Sequence, residues 1–283
     1  MYTTSFSRRT PGCIVFLIDR SDSMRRAWPQ GGTLATGAAR ALNRTIDNLV
    51  MMANPGGVRV RHYYDIGVFG YGMKSDRTEG VESAWAGDTL RGRGLVPVPE
   101  IADGWAREVE VPSTDAGAPA GRAKVWVDPL WGFRTPMCEA IAVAGEHVHE
   151  WVGRHRTSFP PIIINITDGI VTDRYQDTPL VDWAARLRSL ATEDGPPLLF
   201  NIFISPDEEP PANFPASADG LPEPGPLLFG ISSELPPTFV ATAEKHETGF
   251  SVPEGGRAFS FNADFPTLVK FLTIGTRPDL GRR

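Results

Sequence analysis

Lysine is scarce in this chain: only Lys74, Lys124, Lys245 and Lys270 stand among 28 basic side chains. With 29 Gly and 26 Pro, that arginine bias reads as a GC-rich coding sequence and not as a function. Cysteine is scarcer still. Cys13 and Cys138 make no disulfide framework and point to a reducing compartment. Long apolar runs are missing too. After Arg8 and Arg9 the run Cys13-Ile14-Val15-Phe16-Leu17-Ile18 stops at Asp19, too short for a signal-peptide core or a membrane span. A cytoplasmic location away from membranes is therefore expected. An excess of positive charge is absent as well: the formal net charge is −6, which argues against a general nucleic-acid binder.

The usual catalytic signatures are also missing. No Gly-Lys dipeptide occurs, which excludes a P-loop. No serine has glycine two positions away on both sides, which removes the nucleophile-elbow hydrolases. Gly70-Tyr71-Gly72 runs into Ser75, so no dinucleotide fingerprint forms. His147, His149 and Glu150 superficially suggest a zinc-protease helix, but Gly153 stands where the second histidine belongs. Cys138, in the first turn of a helix, is read as a small buried residue in preference to a reactive thiol.

What is present is an alternation of strands and helices. Residues 13–18 form a continuous apolar run ending at a polar loop, as a strand buried on both faces does. Residues 33–53 follow with helical spacing (Leu34, Ala38, Leu42, Ile46, Leu49) and stop at Pro55-Gly56-Gly57. The pattern continues with a strand in 62–71, a helix from Pro136 to about Arg154 and a strand at Ile162–Ile166. A helix over 179–192, a strand from Leu198 to Ile204, a short helix near 236–246, a strand near 257–261 and a closing helix from Asp264 complete it. This order predicts an α/β fold, an open and mostly parallel sheet with helices on both faces.

Two stretches break the rhythm. Residues 75–131 are rich in Gly, Pro and charge but hold Trp85, Trp105, Trp126 and Trp131, so an ordered, hairpin-rich insertion with a satellite core is expected. Residues 205–237 form a Pro-rich excursion. The expectation is a single domain over 1–283, with its core at about 11–276.

Ligands of such sheets bind outside the carboxyl ends of the strands. Asp19, Ser21 and Ser23 follow the first strand, Asp168 follows the Ile162–Ile166 strand, and Thr135 precedes a helix. All five converge on one rim in this reading. Oxygen donors without Cys or His select a hard cation, Mg²⁺ first, with Mn²⁺ or Ca²⁺ as alternatives.

Asp19-x-Ser21-x-Ser23 with Thr135 and Asp168 resembles the metal-ion-dependent adhesion site of von Willebrand factor A domains. Thr135-Pro136-Met137, Pro160-Pro161-Ile162 through Gly169, Leu228-Phe229-Gly230 through Pro236, and Phe261-Asn262-Ala263-Asp264 resemble the bacterial tellurium-resistance branch of that family. The resemblance implies a Rossmann-like doubly wound sheet, and Ser21, Ser23 and Thr135 as direct metal ligands with Asp19 and Asp168 acting through water. It also implies a protein partner that completes the coordination with a Glu or Asp, and a place in a stress-response or defence system. A kinase, phosphatase or ATPase encoded nearby is the implied partner class.

The expected function is accordingly a non-catalytic, metal-dependent adaptor. A metal-assisted, phosphatase-like hydrolase at the same rim is the alternative. Its candidate base is Asp22, which stands between the serines where the family commonly has glycine. A purely structural domain with a vestigial site is the third reading. Arg20, Arg25, Arg26 and Arg134 flank these loops and either attract an acidic partner or simply balance the aspartates.

Overall fold

The computed structural model describes residues 1–29, 31–111, 121–207, 209–245 and 249–276. Strand β1 (Gly12–Arg20) is buried along its whole length. It is followed by a single 3-10 turn (Asp22–Arg25) and helix α1 (Leu34–Met52). A reciprocal capping box starts α1: the Thr36 amide donates to Thr33 Oγ1 at 3.1 Å, and the Thr33 amide donates to Thr36 Oγ1 at 2.7 Å. Strand β2 (Tyr64–Met73) comes next, then β3 (Glu79–Ser83), β4 (Leu95–Pro97) and the short helix α2 (Val98–Asp103). The hairpin β5 (Arg107–Val111) and β6 (Gly121–Val125) closes the expected insertion. Helix α3 (Met137–Arg154), strand β7 (Ile162–Thr167), helix α4 (Leu180–Arg188) and strand β8 (Leu198–Phe203) restore the alternation. The remaining elements are β9 (Ala212–Asn213), α5 (Gly225–Ile231), α6 (Pro237–Ala243), β10 (Phe259–Phe261) and α7 (Phe265–Thr276).

The main sheet has the order β3-β2-β1-β7-β8-β10-β9, and β4 also pairs with β2. Pairings from β2 through β1, β7 and β8 to β10 are parallel, whereas β3, β4 and β9 pair antiparallel at the margins. This is a mixed α/β architecture with a mostly parallel central sheet. Alternate residues of β1 feed two separate cores. Ile14, Phe16 and Ile18 pack with α1, α7 and the insertion, while Cys13, Val15 and Leu17 pack with α3, α4 and α5.

The insertion differs from the expectation in two respects. Leu95-Val96-Pro97-Val98 is only partly a strand, because Pro99 near its N-terminus favours a helical first turn and α2 begins at Val98. Trp85 and Trp126 do not build a satellite core; they join the main cluster beside α1. Buried Asn43 of α1 explains the attachment. Its Oδ1 accepts from the amides of Trp126 (2.9 Å) and Val127 (3.0 Å), and its Nδ2 donates to the Val127 carbonyl (2.9 Å). The Pro-rich excursion likewise contains a helix, α5, and the short strand β9. Residues 112–120 of the insertion, residue 208 of the excursion and residue 246 of the helix expected near 236–246 lie outside the described residues.

At the chain start, the Tyr2 amide donates to the Asp194 carbonyl, and the amides of Thr3 and Thr4 donate to the Asp194 carboxylate at 2.8 Å. Under the sheet a polar seam runs from Tyr71 through Asn165 and Asn201 to Ser232, each link a hydrogen bond of 2.7–3.0 Å. Near the start of β2, Asp65 accepts from Trp151 Nε1 of α3 at 2.9 Å and pairs with His62 at 2.7 Å. Its hydrogen bond to Asp65 holds the His62 imidazole above its usual range. Burial pushes Asp65 up, but the hydrogen bonds from His62 and Trp151 outweigh it and leave the carboxyl below its usual range.

Two predictions follow from these contacts. Asn43→Ala strands three buried backbone groups, so it should cost about 2–4 kcal/mol in urea unfolding. Loss of less than about 1 kcal/mol would show that the clamp is dispensable. The His62–Asp65 pair stabilises the fold above the normal aspartate pKa of 3.8 and below the normal histidine value of 6.5. Stability is lost as pH rises through the elevated His62 value. Urea midpoints measured at about pH 6 and about pH 8 should therefore fall less in His62→Gln than in the unaltered chain. With His62 partly exposed, the difference should stay below about 1 kcal/mol.

Candidate functional site

The site is built where β1 and β7 end side by side. Ile18 is in register with Ile166, so Asp19 and Ser21 leave one strand beside the point where Thr167 and Asp168 leave the other. Three loops meet there and are tied by their backbones. The Asp22 amide donates to the Phe133 carbonyl, and the Gly132 amide donates to the Arg20 carbonyl. The Thr135 amide donates to Thr172 Oγ1 at 2.9 Å, and the Thr172 amide returns a bond to the Thr135 carbonyl. Asp173 then caps α3, its carboxylate accepting from the amides of Cys138 (3.0 Å) and Glu139 (2.9 Å). Thr135 is thus fixed between a helix start and the loop that follows β7.

The predicted residues come together. The Ser21 amide donates to Asp19 Oδ1 at 2.8 Å, folding the loop back on itself. Ser21 Oγ and Ser23 Oγ lie 3.0 Å apart, and Ser23 Oγ donates to Asp168 Oδ1 at 2.8 Å. Thr135 completes the ring. A Cβ placed on Gly169 would sit 3.2 Å from Thr135 Oγ1 and 3.4 Å from Asp19 Oδ2. A side chain at residue 169 would therefore press on both oxygens, and glycine lets them approach.

Electrostatics set the character of this ring. Asp19 is fully buried, and burial with the nearby Asp168 charge pushes its carboxyl up to about 7, against hydrogen bonds from Ser21 and Thr167 that pull it down. Burial raises Asp168 too, partly offset by hydrogen bonds from Arg26 and Ser23. Arg26 reaches Asp168 Oδ2 at 2.9 Å with a side chain that is 44 % exposed. It supplies the cationic counterpart to the pair of aspartates and also donates to the Ser23 carbonyl at 3.3 Å.

Several residues acquire roles that their sequence context did not assign. Thr167 donates to Asp19 Oδ2 at 2.6 Å; its place as the last strand residue beside Asp168 was the available signal. Gly169 lets the Thr135 and Asp19 oxygens approach. Thr172 holds Thr135 from 37 residues away, and Asp173 caps the helix that follows it through Cys138, 35 residues away, a coupling that no local pattern reveals. Of the flanking arginines, Arg25 pairs with Asp22 at 3.0 Å, Arg134 with Glu79 at 2.9 Å and Arg20 with Glu82 at 2.9 Å. Asp22 is exposed and held by Arg25, so it stands outside the ring. The Cys138 thiol is buried and pushed up to about 12, first by burial and then by Asp173. His147 stacks on Phe69 with ring centroids 4.9 Å apart.

No family model matches the chain, and no curated protein matches it. Solved structures similar to it include the PilB minor pilin from Streptococcus sanguinis, at 9 % identity and a TM-score of 0.32, covering 57 % of this chain and 30 % of that one. The pilus adhesin SpaC from Lactobacillus rhamnosus GG is similar at 15 % identity and a TM-score of 0.34, covering 60 % of this chain and 17 % of that one. The chain thus spans less than a third of either neighbour, and likenesses this slight carry no argument about function.

These comparisons correct three expectations. Membership of the von Willebrand factor A family, and of its tellurium-resistance branch, finds no support: no family model and no curated protein matches. The metal-dependent adaptor of a stress or defence system falls with it, as does the phosphatase-like alternative drawn from the same site. The described residues also contain no group of three or more His, Cys, Asp or Glu able to hold a metal ion; the rim ring has two carboxylates, and its other side-chain oxygens are hydroxyls. The physical reason is that a five-residue loop, a threonine and an aspartate report the local geometry of a sheet rim. They do not report ancestry or cellular role.

Proposed function

We propose that the rim ring is a binding site for a single hard divalent cation, Mg²⁺ first, and that the chain acts by binding and not by turnover. The observation that carries this reading is the convergence of oxygen-bearing side chains on one rim: Thr135 Oγ1 and Asp19 Oδ2 both flank Gly169, next to the hydrogen-bonded set of Ser21, Ser23 and Asp168. Hydroxyls and carboxylates are the donors that hard cations select. Ser21, Ser23 and Thr135 would hold the ion with Asp19 and Asp168. Two buried carboxylates facing each other lack compensating charge beyond Arg26, and a divalent cation would let both remain ionised. Bound there, the ion would supply positive charge at the rim and a coordination position for an oxygen ligand from solvent.

A binding role is further supported by Asp22. As a base it would have to face the ring, yet its carboxylate lies in solvent against Arg25. The chain is read as one domain whose two helical layers make the sheet doubly wound, with the rim site where the strand order turns away from β1.

Mg²⁺ titration followed by calorimetry and by thermal unfolding tests the reading. Saturating Mg²⁺ at about 100 times Kd should stabilise the chain by about 2.7 kcal/mol, reversed by chelator. Ser21→Ala and Thr135→Ala should each weaken Mg²⁺ roughly tenfold, as should Gly169→Ala, which presses on two of the donors without removing one. Asp22→Asn should leave affinity within about twofold. Equal affinity in the unaltered chain and all three ring variants would overturn the assignment.

A further inference from the structure

Strand β1 ends in two residues with opposite duties. Successive side chains of a strand point to opposite faces, so Arg20 leaves β1 away from Asp19. It is 2 % exposed. Room for it is made by Gly70 of β2, where a Cβ would fall 2.6–2.7 Å from the Arg20 Nε, Cδ and Cζ atoms. Glu82 of β3 takes one end of the guanidinium, Nη1 to Oε1 at 2.9 Å. Nε has no hydrogen-bond partner among the described residues. A second buried donor shares that condition: the indole Nε1 of Trp85, a residue 3 % exposed, is also without a partner.

Both side chains line the same cavity, of about 200 Å³, together with Ser75, Arg77, Arg91 and Asp128. An unpaired buried donor costs about 1–3 kcal/mol. Neither donor atom itself has as much as 1 Å² of accessible surface, so both sit in the wall just behind the cavity lining, a small side-chain shift from an occupant. The charges agree. Arg20, Arg77 and Arg91 outnumber Asp128 in the lining. Glu82 is already engaged by Arg20, the Ser75 amide and the Ser75 hydroxyl. Asp128 pairs with Arg107, and its charge also acts on Arg20; Asp88 holds Arg91 only through an exposed pair. Among the described residues the Arg77 guanidinium reaches nothing more polar than the Met73 sulfur at 4.0 Å.

We propose that this cavity binds a small oxyanion of the phosphate class, with Trp85 and Arg20 as its buried side and Arg77 and Arg91 closing over it from solvent. The volume admits inorganic phosphate or one phosphoryl group. Guanidinium groups and an indole N–H are donors only, so the occupant must present acceptors, and the excess of guanidinium groups favours an anionic one. The site is separate from the rim ring and does not depend on a cation there.

Inorganic phosphate titrated into the full chain in the presence of chelator, with sulfate and acetate in parallel, provides the test. The Trp85 indole N–H resonance, assigned by its disappearance in Trp85→Phe, should shift saturably with phosphate. Arg77→Ala and Arg91→Ala should each weaken phosphate roughly tenfold, the loss of one charge-assisted contact. Both arginines lie on the surface, so these variants keep the fold. Sulfate should compete, and acetate should bind more weakly. A Trp85 resonance unmoved by phosphate overturns the proposal, as do unchanged affinities in both arginine variants. A preference for acetate overturns the assignment to the phosphate class.

Discussion

Everything at the functional end of this molecule depends on the complete burial of β1. A strand enclosed by β2 and β7 and covered on both faces cannot send its last polar groups into water, so each must find a partner within the protein. Asp19 finds the Ser21 amide and the Thr167 hydroxyl. The Arg20 side chain finds Glu82. The loop that follows is bonded to the segment 132–135, which is bonded in turn to the segment after β7. The rim is therefore rigid because it is an extension of the core.

That constraint also accounts for the charge pattern. Aspartates that remain buried near each other need neighbouring donors, and the chain supplies hydroxyls and one half-exposed arginine, Arg26, paired with Asp168. Behind the same strand, the guanidinium of Arg20 fits only because residue 70 is glycine, and it is only partly matched by Glu82. One strand end thus presents an oxygen-rich ring on one side and a nitrogen-rich cavity on the other.

Much of the framework was legible because it obeys local rules. The apolar runs of β1, β7 and β8, the spacing of α1 and α3, and the stops at Pro-Gly clusters translate directly into elements. Ser21, Ser23, Asp168, Asp19 and Thr135 do meet, since parallel strands must end on a common edge. What could not be read was contact across long separations. Asn43 clamps residues more than 80 positions away, and Asp173 caps a helix that precedes it in sequence. Nothing in either neighbourhood marks such a role. The α2 and α5 helices hide in proline-rich text because proline suits a first helical turn as well as a loop. Ancestry and cellular role were not legible either: short rim motifs describe a geometry that any parallel sheet can present.

The strand order has a consequence for how the chain is made. β1 precedes its partner β7 by about 150 residues, and Tyr2 to Thr4 are pinned by Asp194, further downstream still. All of that intervening chain must be made before β1 is covered on both edges. During that interval β1 can pair only with β2, whose other edge takes β3 and β4, so the second edge of β1 stays open and adhesive. Synthesis is therefore a stage at which this architecture is exposed to mispairing, whatever its equilibrium stability.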